Sequence, residues 1–239
     1  GKMGVEKWLD GKLRGQDGAE IVEMEADGKW LRRLGRQEPV VGEEVRLTID
    51  AGLQRKIAAV MGDRKGGVVA SVPQTGEILA VVSSPGFEPD RVSQFLDRED
   101  KPLFNRATDG VYPPGSIFKL VTAVAGLETG KINEATAIED TGEIRVGEFR
   151  YGNWYFDQYG KLEGSLGIVR ALGRSNDVFF YRVGEMVGAE GLADWARRLG
   201  LGESLALGWA ADSAGLVPDP AWKENFKGER WFLGNTYHL

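Results

Sequence analysis

The sequence contains no cysteine and only one histidine, His238, at the last position but one. Without thiols there is no disulfide, no thiolate nucleophile and no cysteine-based zinc site; an exported protein can also lack cysteine, so the compartment stays open. With one histidine, neither a Ser-His-Asp triad nor a poly-histidine metal centre is expected, and an activated serine needs another base, such as lysine. Long apolar runs are missing too. The most apolar stretch, residues 66–82, is interrupted by Pro73 and Gln74 and falls short of the roughly 18 residues that span a bilayer. No signal peptide is visible: the chain starts at Gly1 and reads at once as mature protein, which is compatible with an anchor removed upstream. A net charge of −6 supplies no general basic field for phosphate backbones, so nucleic acid is not an expected partner.

What the chain does contain is ordinary globular material, 42% hydrophobic and 28% charged, enough for one sizeable domain plus an appendage. Glycine is over-used, 34 of 239 residues or about 14% against a usual ~7%, which points to many turns and disfavours a plain helical bundle. Residues 1–44 are charged and glycine-punctuated, and alternation from Ala19 to Glu25 predicts solvent-facing strands of a small appended module. A strand is expected over Val45 to Ile49, then a helix capped by Asp50 with Leu53, Ile57 and Val60 on one face and Gly62 at its end. Two apolar strands, Gly67 to Val72 and Glu77 to Ser83, flank Pro73-Gln74-Thr75-Gly76 and predict a hairpin. The aperiodic, proline-marked segment from Ser84 to Tyr112 is expected as a long surface connection. A buried helix then begins abruptly at Pro113-Pro114-Gly115-Ser116 and ends at Gly130. Thr141 to Gly160 predicts strands, and Leu166 to Trp195 predicts helix interrupted at Gly173 and Gly184.

The chemistry concentrates at Ser116-Ile117-Phe118-Lys119. On a helix, a three-residue offset places two side chains on one face, about 5–6 Å apart at Cβ, so an amine at 119 can reach a hydroxyl at 116. Serine becomes a useful nucleophile when a base takes its proton, and a lysine kept neutral by burial can do so. The helix N-terminus adds unpaired N–H groups and a partial positive charge that favour a developing oxyanion. A serine at a helix start is also a common cap, and a lysine one turn later is commonly solvated. The Pro-Pro-Gly lead-in and the apolar neighbours set this pair apart. A second polar knot, Arg174-Ser175-Asn176-Asp177, interrupts an apolar helical stretch. It reads either as a loop or cap or, if it lies near Lys119, as a group that holds the amine and relays a proton. The aromatic run from Tyr151 to Tyr159, with Trp154 inside it, is open between core and the wall of a substrate cleft.

Tyr112-Pro113-Pro114-Gly115-Ser116-Ile117-Phe118-Lys119 resembles the active-serine motif of class B penicillin-binding proteins. Three further segments resemble the elongation-type members of that class: Asn105-Arg106-Ala107-Thr108, Ser175-Asn176-Asp177-Val178-Phe179-Phe180-Tyr181, and the run from Gly215-Leu216-Val217-Pro218 to Lys223. The resemblance covers the whole chain. It implies an α+β fold, the transpeptidase domain shared with serine β-lactamases, with an antiparallel sheet flanked by helices. Residues 1–44 would be the base of a β-rich, non-catalytic, dimerisation-type pedestal, and residues 45–239 the N-terminal portion of the transpeptidase domain. It also implies Ser116 as the nucleophile that forms the acyl-enzyme, Lys119 as its base, Ser175 and Asp177 as the second motif, and Asn176, Trp154 and Tyr112 as substrate contacts. The family's usual second motif is Ser-x-Asn. A carboxylate at position 177 favours the ammonium form of a neighbouring lysine more than an amide does, which leaves open which residue takes the proton. No Lys-Thr-Gly or Lys-Ser-Gly occurs in the 239 residues. In the family that motif binds the substrate carboxylate and completes the oxyanion hole, so the chain is expected to be truncated before it and inactive alone.

By the same resemblance the parent protein is a peptidoglycan D,D-transpeptidase that attacks the D-Ala-D-Ala amide of a stem peptide and is acylated by β-lactams. It needs no cofactor or metal, and it works at the extracytoplasmic face of a bacterial inner membrane beside a membrane-embedded glycan polymerase. Two other readings stay open. One is a serine β-lactamase or D,D-carboxypeptidase, which passes the acyl group to water; the other is a non-catalytic peptidoglycan-binding sensor or scaffold on the same fold.

Overall fold

Every strand in the computed structural model, which describes Gly1 and residues 3–238, pairs with a single antiparallel neighbour, giving four two-stranded ribbons set among helices. The chain divides into two units, residues 1–110 with 205–213 and residues 111–204 with 214–239. No helix among the described residues is long and apolar enough to cross a membrane.

In the first unit, short helices α1 (Gly4–Trp8) and α2 (Asp10–Leu13) precede the ribbon of β1 (Ala19–Met24) and β2 (Trp30–Gln37). The alternation read around Ala19 forms β1, and its Glu20 and Glu23 pair with Arg33 and Arg32 across the ribbon at 3.5 and 2.6 Å. Exposed pairs of this kind contribute only ~0–1 kcal/mol each, so the backbone ladder holds the ribbon more than its charges do. Helix α3 (Ala51–Met61) starts where Asp50 accepts from the Leu53 N–H at 2.9 Å, the cap expected from sequence.

The expected hairpin is present as β3 (Gly66–Ser71) and β4 (Ile78–Ser84). Helix α3 closes the free edge of β4 with one side chain: the Gln54 amide accepts from the Val81 N–H at 2.9 Å and donates to its carbonyl at 2.6 Å. The strand expected over Val45 to Ile49 does not form. Its end touches the start of β4 only through Thr48 Oγ1 on the Ile78 carbonyl and, just past it, the Asp50 N–H on the Leu79 carbonyl, too few backbone bonds for a ladder. A Cβ at Gly67 would lie 2.6 Å from the Ala107 backbone, which is why glycine stands where the long connection presses on β3. That connection is irregular except for 3₁₀ turns over Pro89–Phe95.

The second unit opens with a 3₁₀ turn, Gly115–Phe118, that runs into α4 (Lys119–Glu128), so the helix expected from Ser116 onward is wound more tightly at its start. Next come β5 (Ala137–Glu139) and the hairpin of β6 (Glu143–Val146) and β7 (Phe149–Gly152). The second half of the expected strand region is instead helix α5 (Trp154–Tyr159). Gly160, in the left-handed region at φ 63°, terminates it as a helix, and the strand preference of aromatic residues yields to that context. Strand β8 (Ser165–Gly167) pairs with β5. Helices α6 (Ile168–Arg174), α7 (Asp177–Val187), α8 (Ala189–Arg198), α9 (Pro220–Lys227) and α10 (Leu233–Tyr237) complete the unit. The helical breaks fall at Ser175-Asn176 and at Gly188, not at Gly173 and Gly184. Ser175 (φ 51°) and Gly188 (φ 80°) take the left-handed backbone that a break requires, while Gly184 sits inside α7 against Leu192 and Thr236.

Helix α4 lies between two apolar clusters. Ala123 faces Leu166, Phe179 and Val183, whereas Phe118 and Val121 face Ala193, Ala196 and Val217. The approach of α4 to α7 depends on Gly126, where a Cβ would meet Val183 Cγ1 at 2.7 Å. Gly126→Val is therefore expected to overpack this contact and destabilise the unit by ~1–3 kcal/mol, read as a lower urea midpoint.

Candidate active site

Ser116 and Lys119 are one turn apart in the 3₁₀ segment and its junction with α4, a geometry in which side chains three apart eclipse one another. Ser116 is exposed, whereas the Lys119 side chain is only 13% exposed. The ammonium is placed by the break between α6 and α7. Lys119 Nζ donates to the Ser175 carbonyl at 2.7 Å, to Ser175 Oγ at 3.0 Å and to Asp177 Oδ1 at 2.5 Å, and it lies 5.8 Å from the centre of the Phe180 ring. All three ammonium hydrogens thus have acceptors. Ser175 presents both of its oxygens to one cation because it ends α6 in the left-handed conformation, an uncommon state for a residue with a side chain.

Asp177 and Asn176 have separate tasks. Asn176, expected against substrate, is instead turned inward at 1% exposure, and its Oδ1 accepts from the Phe179 N–H at 2.8 Å to cap α7. Its Nδ2 finds no partner among the described residues. Asp177 keeps Oδ1 for Lys119 and uses Oδ2 to accept the Trp154 N–H at 3.0 Å. The Trp154 indole donates to the Arg174 carbonyl at 2.9 Å, and the Arg174 guanidinium, paired with Glu163 at 2.5 Å, stacks over Trp154 and Tyr155. Trp154 is 37% exposed beside this cluster, and Tyr112 is exposed in the lead-in to the 3₁₀ turn. Two residues of the site carry no motif, Asn153 and Asp140, both buried: Asn153 accepts the Asp177 N–H and donates to Asp140. An asparagine directly before a helical aromatic run was the one local signal available.

Tyr181, half-buried on α7, has its hydroxyl pushed up to about 12, by burial first and then by the charge of Asp177. Folded Tyr181 therefore keeps its proton above the ordinary value of 10.0, so the stability it contributes is whole below about pH 10 and is lost as the pH rises to about 12. Tyr181→Phe should remove that part of the alkaline destabilisation, measured as a urea midpoint that falls less steeply with pH across this window.

Residues 66–232 match the family model of the penicillin-binding protein transpeptidase domain, and residues 1–47 match that of the penicillin-binding protein dimerisation domain. The peptidoglycan D,D-transpeptidase MrdA of Acinetobacter baumannii is 36% identical over 247 aligned residues, covering 99% of this chain and 36% of that protein. The Escherichia coli protein of the same name is 34% identical, with 99% of this chain and 38% of its own length covered. The chain thus spans well under half the length of these curated relatives. Among solved structures, penicillin-binding protein 2 from Helicobacter pylori, in its complex with MreC, superposes with a TM-score of 0.82 at 28% identity over 99% of this chain and 46% of that one. Pseudomonas aeruginosa penicillin-binding protein 2 in complex with WCK 5153 gives 0.75 at 32% identity over 84% and 47%. With both domain models, the curated relatives and the superpositions in agreement, the chain belongs to the penicillin-binding protein transpeptidase family, on its class B, elongation-type branch, and has that family's α+β fold.

Proposed function

We propose that the protein carrying these residues is a peptidoglycan D,D-transpeptidase that works through Ser116. The observation behind this reading is a lysine ammonium held by three oxygens of the α6–α7 break, one turn after an exposed serine at the head of a buried helix. Ser116 Oγ attacks the carbonyl of the D-Ala-D-Ala amide while its proton passes to the Lys119 amine. The amide nitrogen then takes a proton and leaves as D-Ala, and the donor stem remains as an ester on Ser116. An amine of a neighbouring stem attacks that ester, forms the new amide and returns the proton to Ser116. Lys119, with all three hydrogens placed, accepts the serine proton only after releasing one of its own, and Asp177 Oδ1 is the group in position to receive it.

Tyr112 and Trp154 are assigned to substrate contact on the strength of their exposure beside these groups, and Asn176 to holding Asp177 in place as the α7 cap. Residues 1–44 are assigned to the pedestal and 45–239 to the N-terminal portion of the transpeptidase domain. A structural neighbour described as a peptidoglycan synthase complex that coordinates polymerization and crosslinking supports a glycan polymerase as partner, at the extracytoplasmic face of the envelope.

The test supplies the full-length protein with a stem pentapeptide and an acceptor amine. A new amide product, together with labelling by fluorescent penicillin that vanishes in Ser116→Ala, is the expected result. Free acid as the sole product would make the protein a hydrolase, and the absence of any adduct on Ser116 would leave a scaffold.

A further inference from the structure

Asn153 occupies the N-cap position of α5, where an asparagine side chain ordinarily accepts from an N–H of the first helical turn. Here it makes no such bond. Its Oδ1 accepts the Asp177 N–H at 3.2 Å, from a residue 24 positions away, and its Nδ2 donates to Asp140 Oδ2 at 3.0 Å. Asn153 is 0% exposed and Asp140 1%, so both ends of this link lie where an unpaired polar group is strongly unfavourable. Asp140 accepts in addition from the N–H groups of Gly142 at 2.9 Å and Glu163 at 3.0 Å. An ionised carboxylate only accepts, so Asp140 dictates which end of the Asn153 amide faces it and therefore which end faces Asp177. The next residue, Trp154, completes the grip by donating its N–H to Asp177 Oδ2.

From this geometry we infer that Asn153, oriented by Asp140, is a positioning residue for the Lys119–Asp177 pair. The inference rests on the reading of Ser116 as the acylated residue. Asp177 has one oxygen on Lys119 and the other on the Trp154 N–H, and its backbone is fixed by Asn153. Removing the Asn153 amide leaves the Asp177 N–H without this acceptor, so the carboxylate that takes one of the three Lys119 hydrogen bonds is less firmly placed. A misplacement of about 1 Å at a reacting group lowers rates by as much as ~10²-fold.

The test measures acylation of the full-length protein by fluorescent penicillin, with the adduct located by mass spectrometry and folding followed by circular dichroism. In Asn153→Ala the acylation rate constant is expected to fall by up to ~10²-fold while the affinity for the non-covalent complex stays unchanged. Asn153→Asp carries the pH readout. Its carboxyl would face Asp140 from the β5–β6 turn, with Asp177 and Lys119 on α7 and α4, Asp157 on α5, and the Glu163–Arg174 pair around it. Two buried carboxyls this close resist ionising together, so the second proton is held to a higher pH than usual; at acid pH it reproduces the amide's donation, and it is lost as pH rises. Acylation by this variant should then approach the unaltered rate at low pH and fall away as pH rises, with the fold retained. Rates within about twofold of the unaltered protein for Asn153→Ala, or an Asn153→Asp profile that superimposes on the unaltered one, would overturn the inference alone. If Asn153→Ala fails to fold, the Asn153→Asp profile decides. Absence of any Ser116 adduct in the unaltered protein would overturn the Ser116 reading and this inference with it.

Discussion

Replacing Lys119 by alanine is expected to slow acylation of Ser116 by ~10²–10⁴-fold, the range for loss of a positioned proton-transfer group. The check is the rate of covalent labelling by fluorescent penicillin in the full-length protein. Alanine removes the atom that binds the Ser175 carbonyl, Ser175 Oγ and Asp177 Oδ1 at once, so the serine loses the proton acceptor proposed for it and the α6–α7 break loses its cation. Lys119→Arg separates these two losses. A guanidinium stays charged and still pairs with Asp177, so the fold should be spared, but it does not give up a proton near neutral pH. If arginine labels at the unaltered rate, Lys119 serves as a fixed charge and the proton travels by another route.

A second large effect is expected at Phe179. Its ring is 1% exposed, packs edge-to-face on Phe180 with centroids 5.3 Å apart, and belongs to the cluster shared by α4, α6 and α7. Phe179→Ala should destabilise the second unit by ~3–5 kcal/mol, from lost burial plus the cavity left behind, read as a shift in urea midpoint. Phe226, 80% exposed on α9, is the control: its alanine variant should stay within about ±0.5 kcal/mol. The contrast ties packing to chemistry, because the Phe179 N–H is also the group that Asn176 caps, two residues from Asp177.

Where the structure departs from the sequence reading, the cause is competition from groups distant in the chain. Val45 to Ile49 has strand composition, yet its end meets only the start of β4, at Ile78 and Leu79, and Gln54 of α3 takes the edge at Val81. The aromatic run after Gly152 has strand preference, yet Gly160 closes it as a helix whose backbone N–H and indole are taken by Asp177 and Arg174. Gly173 and Gly184 look like breaks, yet both stay helical, because a glycine ends a helix only when the chain must turn there. Asn176 lies within a recognisable motif, and only packing shows that its amide faces the interior. Asp140 and Asn153 carry no motif and enter the site through hydrogen bonds made across strands and helices.

The sequence by itself determined the local matters: the Asp50 cap, the turn between β3 and β4, and the abrupt helical start that sets a serine three residues before a lysine. Each depends on neighbours within a few residues, whose backbone preferences and spacing are written in the chain. Only the tertiary structure decided that Lys119 meets a carboxylate 58 positions away, and that a buried amide from a third segment orients that carboxylate. Such contacts form once the whole core has closed, since the position of each long-range partner is set by every side chain packed between them.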